Sequence, residues 1–137
     1  MSIQISSRLA EFGTQASFDV LPIDVVDRTK YLFLDYIGVA VRGSLSCSSR
    51  PIYELAGLLK QGATGAGLGA GKNVGFPYNA LANGTAAHSL ELDDTHQAGS
   101  IHLGVSIFST ALALAAYVGC SGERFINAAV VGFEVAA

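Results

Sequence analysis

Apolar residues recur every three or four positions along most of the chain, which is the spacing of one face of an α-helix. The alternation of apolar and polar residues that marks a half-buried strand is not convincing anywhere in the sequence. The periodic segments predict six helices, at about residues 5–16, 22–43, 51–60, 77–92, 104–118 and 121–137. The pattern therefore predicts an all-α fold, a helical bundle that forms one domain over residues 1–137.

The second predicted helix has the widest apolar face, and we expect it to be buried on two sides. Its two stripes are Val26, Phe33, Ile37 and Ala40, and Val25, Leu32, Tyr36 and Val39. The inward positions expected in the third, fifth and sixth helices are Ile52, Leu55, Ala56 and Leu59; Val105, Phe108, Ala111, Leu112 and Ala115; and Phe125, Ala129, Val130 and Phe133. Gly84 costs its helix about 1 kcal/mol relative to alanine, which predicts a close contact with another helix or with a ligand.

Two segments interrupt or extend this helical pattern. A glycine-rich stretch predicts a flexible loop at about residues 62–75. It is no phosphate-binding loop, because Asn73 follows Lys72 where the GxxxxGK motif needs Ser or Thr. The last helical pattern, capped at Ser121, still runs at Ala137, and we interpret it as a truncated helix of a longer protein.

Composition and charge exclude several classes of protein. The 137 residues carry a net charge of −3 with no basic block, so a nucleic-acid partner is not expected. The N-terminus lacks the pattern of a signal peptide, and Cys47 and Cys120 are isolated, so we expect reduced thiols in a cytoplasmic protein. Residues 99–122 contain no Asp, Glu, Lys or Arg and could span a membrane, but His102 and many small or hydroxylated residues favour a buried core helix instead.

One polar cluster is concentrated between Ala80 and Gly104, in an otherwise apolar region. It contains all three histidines of the chain (His88, His96 and His102), three acids (Glu91, Asp93 and Asp94) and Thr95. On a helix, Glu91 and Thr95 would share a face. Carboxylates beside a histidine are suited to proton transfer next to a carbonyl or carboxylate group. The free amides at the start of the 104–118 helix would favour an anion nearby.

Simpler roles compete for the same residues. Asp94, His96 and His102 could hold a metal ion, although their spacing matches no compact ligand motif. Either adjacent aspartate could cap a helix end. His88 lies in the apolar part of its helix and is expected to be a hydrogen-bonded core histidine. No GxSxG motif supports a hydrolase triad, and neither cysteine shows a sign of activation.

The residues of this cluster resemble those of the MmgE/PrpD family. The resemblance rests on Ala80-Leu-Ala-Asn-Gly-Thr-Ala-Ala-His88, Leu90-Glu-Leu-Asp-Asp-Thr-His96 and Ser100-Ile-His-Leu-Gly104, and it extends to residues 34–40 and 130–137. The family includes 2-methylcitrate dehydratase, cis-aconitate decarboxylase and an iminodisuccinate epimerase. The resemblance implies a large helical domain, a smaller α/β domain and a site in the cleft between them. It also implies a homodimer that needs no metal or organic cofactor. This chain would be the N-terminal part of the helical domain.

Matching the motifs position by position implies roles for six residues. The resemblance implies that His102 is the general acid or base, with Asp93 and Thr95 as further catalytic residues that orient the substrate and the histidine. Glu91, Asp94 and His96 would contact a small di- or tricarboxylate. Leu103 follows His102 where the family has proline, so the substrate and the reaction, dehydration, decarboxylation or epimerisation, stay open.

Three functional classes follow from the sequence. The first is a cofactor-independent lyase or isomerase, of which this chain supplies one wall of the site. The second is a truncated chain without catalytic activity of its own that serves as a helical assembly module. The third is a small membrane or interaction protein built around residues 99–122.

Overall fold

The computed structural model describes residues 4–59, 65–69 and 74–137, and these form six α-helices and no β-strand. The helices are α1 (Ile5–Gln15), α2 (Ile23–Gly43), α3 (Arg50–Leu58), α4 (Tyr78–His88), α5 (Leu103–Val118) and α6 (Gly122–Ala136). A short 3-10 turn at Phe18–Val20 joins α1 to α2. The all-α prediction is confirmed. None of the described helices is both long and apolar enough to cross a membrane.

The hydrophobic core lies where α2, α4, α5 and α6 meet. Its fully buried members are Tyr36, Ala40, Ala87, Phe108 and Ala129, and partly buried residues from both predicted stripes of α2 pack against them. The aromatic rings form one connected group, because Phe33 lies 5.3 Å from Phe108 and 4.7 Å from Phe125 between ring centroids. The long second helix is therefore the central element of the bundle, as its wide apolar face predicts.

Two small residues let α4 approach its neighbours closely. Gly43, at the end of α2, packs against the carbonyl of Ala86 with no room for a Cβ atom. A Cβ on Gly84 would lie 3.3 Å from Oγ of Ser109 on α5, so the predicted close contact at Gly84 is confirmed. These contacts fix the C-terminal end of α4 against both α2 and α5, and the polar cluster begins at that end.

A buried polar pair lies inside the core between α2 and α5. The hydroxyls of Tyr36 and Ser109 are 2.7 Å apart, and both residues are almost fully buried. Burial raises the pKa of Tyr36 to about 12, so its hydroxyl stays neutral and keeps a proton to share. Ser109 lies outside the apolar stripe predicted for α5, so the buried face of that helix is rotated toward a polar position.

The glycine-rich segment is anchored to α4 by an asparagine side chain. Nδ2 of Asn83 donates to the carbonyl of Ala66 at 2.6 Å, and its Oδ1 accepts from the Leu68 amide at 3.0 Å. The described parts of the predicted loop, residues 65–69 and 74–75, form neither helix nor strand. The rest of the loop, with Lys72, lies outside the described residues.

Two predictions about individual helices are wrong. The fourth helix ends at His88 and not near residue 92, for reasons given below. The third helix buries Ala56 alone, while Leu55 and Leu59 are 46% and 42% exposed, because no described element covers their side. The cap predicted at Ser121 is confirmed, since its hydroxyl accepts from the Arg124 amide.

Candidate functional site

The polar cluster occupies a loop that joins α4 to α5. The chain turns sharply after α4: the Glu91 amide bonds the His88 carbonyl at 3.2 Å, and Glu91 has a φ of 54°, in the left-handed region that few non-glycine residues adopt. Further along, His96 and Ile101 pair through their backbones as an isolated antiparallel bridge. Glu91 and Thr95 therefore share no helix face, and the prediction that they do is wrong.

Asp93 is the buried centre of this loop. Its side chain is only 2% exposed, and its two carboxylate oxygens lie 3.1 and 3.0 Å from Nδ1 of His88. One of the same oxygens lies 3.4 Å from Nδ1 of His102. A buried carboxylate needs hydrogen-bond donors around it. For Asp93 the neighbouring groups are the imidazole rings of His88 and His102.

His88 is a member of the cluster and not the core histidine that the sequence suggests. Its side chain is 45% exposed, and its second ring nitrogen, Nε2, lies 3.4 Å from Oε1 of Glu91. The hydrogen bond to Asp93 raises the pKa of His88, partial burial opposes the shift, and the charges of Asp93 and Glu91 add to it. With an acceptor at each nitrogen, the ring is arranged to carry a proton on both.

The contacts of His102 fix its tautomer. Nδ1 lies 2.8 Å from the backbone carbonyl of Asp94, which can only accept a hydrogen bond, so Nδ1 carries the proton and donates it. The Thr95 hydroxyl is at the outer limit of contact with the same nitrogen, at 3.5 Å. In the neutral ring, Nε2 is left as the nitrogen with a free lone pair. The His102 side chain is 30% exposed.

Asp94 has a structural role at the start of α5. Its Oδ1 accepts from the Gly104 amide at 2.9 Å, which satisfies one of the donors that a helix N-terminus leaves free. Burial raises the pKa of Asp94, partly opposed by that hydrogen bond. The helix-capping role considered for an aspartate is thus present at Asp94. The anion expected at this N-terminus is supplied, at Gly104, by the protein itself.

A surface cleft of about 510 Å³ lies on another side of the loop. Asp94, Thr95 and His96 line it together with residues of α2, among them Arg28 and Asp35. Nδ1 of His96 accepts from the Gly99 amide at 3.2 Å, so this ring also stabilises its own turn. Arg28 is the one cation among the described residues that line this cleft.

The six predicted site residues thus fall into two groups. The first group surrounds His88 and consists of Glu91, Asp93 and His102, linked by the contacts of Asp93 with both histidines. The second group lines the cleft and consists of Asp94, Thr95 and His96. Thr95 touches both groups through its contact with His102. The metal set considered from the sequence is not assembled. Among the described residues, the one group of three with ligand atoms close enough is His88, Glu91 and His102.

Two residues of this region were missed from sequence. The apolar sequence of its helix predicts a core position for His88, although its place five residues before Asp93 at a helix end is a signal for the site. Arg28 carries no local signal, because it comes from α2 and reaches the cleft only through the packing of the bundle.

Comparison with known proteins identifies a family and several relatives of this chain. The model of the MmgE/PrpD N-terminal domain matches residues 7–137. The cis-aconitate decarboxylase-like protein oryM of Aspergillus oryzae is 30% identical over 139 residues. Cis-aconitate decarboxylases of Aspergillus terreus and of its strain NIH 2624 are 28% and 27% identical over 136 residues.

Each of these alignments covers 95% of this chain but only 28% of the relative, so the chain spans less than a third of the length of the curated relatives it matches. No solved structure gives a significant match. The family model covers nearly the whole chain, from α1 to α6. The chain therefore belongs to the MmgE/PrpD family, and the part of that family that it represents is the N-terminal domain.

Proposed function

We propose that this chain supplies one wall of the active site of a cofactor-independent lyase or isomerase that acts on a small di- or tricarboxylate. The reaction would remove or deliver a proton next to a carboxylate, as in a dehydratase or decarboxylase. The matched family and the decarboxylases among its relatives support this reaction class. The observation that carries the proposal is the 2.8 Å contact between Nδ1 of His102 and the carbonyl of Asp94.

His102 has the parts of a positioned general base. The carbonyl of Asp94 holds Nδ1–H, and the carboxylate of Asp93, 3.4 Å from the same nitrogen, stabilises the positive ring that forms when Nε2 takes a proton. In many enzymes a catalytic base is held in place by a further polar group, and here the Asp94 carbonyl and the Asp93 carboxylate would hold His102. Thr95, 3.5 Å away and lining the adjacent cleft, would orient the substrate next to the base.

The charge of this wall argues that the substrate needs further contacts. Glu91, Asp93 and Asp94 lie close together, and Arg28 is the cation that the described cleft offers a carboxylate. Like charges disfavour the approach of a polycarboxylate. Further cations are therefore expected from protein outside this wall. Arg28 and His96 would bind one carboxylate group of the substrate, and the assembled protein is expected to be a cytoplasmic homodimer.

A His102→Gln substitution tests the proposal. The protein with both walls of the site is incubated with cis-aconitate, and release of CO2 and incorporation of solvent deuterium are followed by NMR. Loss of a positioned base is expected to lower turnover by about 10²- to 10⁴-fold while circular dichroism is unchanged. Gly38→Ala is the matched control, because it lies on the exposed side of α2 with nothing within 4 Å of the added Cβ. Full activity of the His102 variant would contradict the proposal.

The second candidate is a helical assembly module without activity of its own. The observation that favours it is the exposure of large apolar side chains on several helices, such as Ile5 at 75%, Leu58 at 86% and Val118 at 57%. Exposed apolar side chains favour association, because contact with another chain removes them from water. This candidate is favoured if the protein with both walls shows neither CO2 release nor deuterium incorporation, while the folded wild-type chain elutes as an oligomer in size-exclusion chromatography with light scattering.

A further inference from the structure

We propose that His88, Glu91 and His102 form a binding site for a divalent transition-metal cation such as Zn²⁺, with Asp93 as the buried group that orients both histidines. The family resemblance implies no metal, and the proposed reaction needs none. This inhibitory role rests on the proposed function: the cation would take the lone pair of the His102 nitrogen that serves there as the base.

The distances fit three ligands of one small cation. One ligand atom from each of the three residues lies within 4.8 Å of the other two. Nε2 of His88 and Oε1 of Glu91 are 3.4 Å apart. Two ligands at about 2.1 Å from zinc with a tetrahedral angle between them are separated by about 3.4 Å, so this pair already has the spacing of one edge of the site. The remaining distance closes by small movements of exposed side chains, since Glu91 is 75% exposed.

Asp93 contacts Nδ1 of both imidazole rings, which leaves Nε2 of each ring as the nitrogen for a cation. Its carboxylate lies 3.0 Å from Nδ1 of His88 and 3.4 Å from Nδ1 of His102. A metal-binding histidine commonly donates its other ring nitrogen to a carboxylate or a backbone carbonyl, which fixes the tautomer and strengthens the ligand. Here His88 has the carboxylate, and His102 has the carboxylate and the Asp94 carbonyl. Nε2 of each ring is then the nitrogen that would bind the cation, and on His88 the cation would displace the proton that faces Glu91.

The donor set selects the kind of cation. Two imidazole nitrogens and one carboxylate suit Zn²⁺, Co²⁺, Ni²⁺ and Cu²⁺, whereas Mg²⁺ and Ca²⁺ prefer oxygen ligands. The ring centroids of the two histidines are 5.0 Å apart in an edge-to-face arrangement, and both rings are partly exposed. A cation can therefore enter from solvent, and a water molecule would complete its coordination.

Isothermal titration calorimetry of the chelator-treated chain with ZnCl2 tests the site. Both cysteines are replaced by serine throughout, because Cys47 is exposed and a thiolate would compete for zinc. His88→Gln and Glu91→Gln are each expected to weaken zinc binding at least about tenfold, and Asp93→Asn by about 10- to 100-fold. MgCl2 is expected to show no binding at the same concentrations.

His96→Gln is the matched control, because it removes a histidine of the same loop that is not in the group of three. Its zinc affinity is expected to equal that of the parent. Circular dichroism identifies any variant that fails to fold. In that case ¹⁵N spectra of the parent test the site instead, because zinc should shift the Nε2 resonances of His88 and His102. Equal zinc affinity of the parent and the folded His88→Gln chain, or unchanged Nε2 signals at saturating zinc, would overturn the proposal.

Discussion

Replacing Asp93 by asparagine removes the central charge of the cluster and keeps its shape. The wild-type carboxylate is 2% exposed and accepts from Nδ1 of His88. That hydrogen bond is the main cause of the raised pKa of His88, with partial burial opposing it. The asparagine side chain could still bond a ring nitrogen, but it could no longer stabilise a charged imidazolium. The cost of the substitution should therefore depend on whether His88 is protonated.

The magnitude follows from the geometry. A hydrogen bond to a charged group contributes about 1.5–3 kcal/mol when it is buried. Because the side chain of His88 is 45% exposed, solvent screening reduces the expected value to about 1 kcal/mol. For a domain of this size, that loss lowers the melting temperature by about 3–5 °C.

The sign of the pH dependence follows from the direction of the shift. A histidine whose pKa is raised on folding stabilises the folded state fully below its unfolded value of about 6.5, and the stabilisation is lost as pH rises through the folded value. The destabilisation caused by Asp93→Asn should therefore be greatest near about pH 5.5, where His88 is charged. It should shrink toward zero near about pH 9.

Thermal unfolding followed by circular dichroism at these two pH values, in buffer with a chelator, measures the effect. Asp27→Asn is the matched control: Asp27 is a 53% exposed carboxylate whose partner at 3.0 Å is Lys30 and not a histidine. Its effect should be below about 1 kcal/mol and the same at both pH values. An Asp93→Asn effect that is equal at both, or larger at the higher pH, would refute the coupling between Asp93 and His88.

Two further sets of substitutions test the packing that holds the site. Gly43→Ala should destabilise the fold by about 1–3 kcal/mol in urea unfolding, because its Cβ would overlap the carbonyl of Ala86. The control Gly38→Ala should stabilise the fold by about 0.5–1 kcal/mol. Equal effects of the two substitutions would contradict the close approach at Gly43. Tyr36→Phe and Ser109→Ala should each cost about 1–3 kcal/mol because each leaves a buried hydroxyl unpaired, and the double variant should cost clearly less than the sum; additive effects would show that the two hydroxyls do not interact.

The parts of the fold that depend on helical periodicity could be predicted from sequence. The two stripes of α2 and the face of α6 are regular over several turns, so the core positions Tyr36, Ala40 and Ala129 follow from spacing alone. The end of α4 cannot be predicted from spacing, because residues 89–92 continue a helical pattern after the helix has ended at His88. The helix stops where Asp93 folds back onto His88 and Glu91 takes a left-handed conformation.

The chemistry of the cluster was partly accessible in the same way. The composition of residues 80–104 indicates where the site lies, and the resemblance identifies His102 within it. Which nitrogen of His102 carries the proton depends on a backbone carbonyl, that of Asp94, which has no side-chain signature. Arg28 enters the cleft from α2, and long-range packing of that kind leaves no pattern in a single sequence.

The tautomer of His102 is the most direct test of the account. Long-range ¹H–¹⁵N correlation of the histidine rings, recorded at alkaline pH where histidine side chains in general are neutral, distinguishes the two ring nitrogens. The structure predicts that Nδ1 of His102 carries the hydrogen and that Nε2 does not, because the Asp94 carbonyl lies 2.8 Å from Nδ1. A ring with its hydrogen on Nε2 would have no lone pair there to take a proton and would contradict the proposed role of His102.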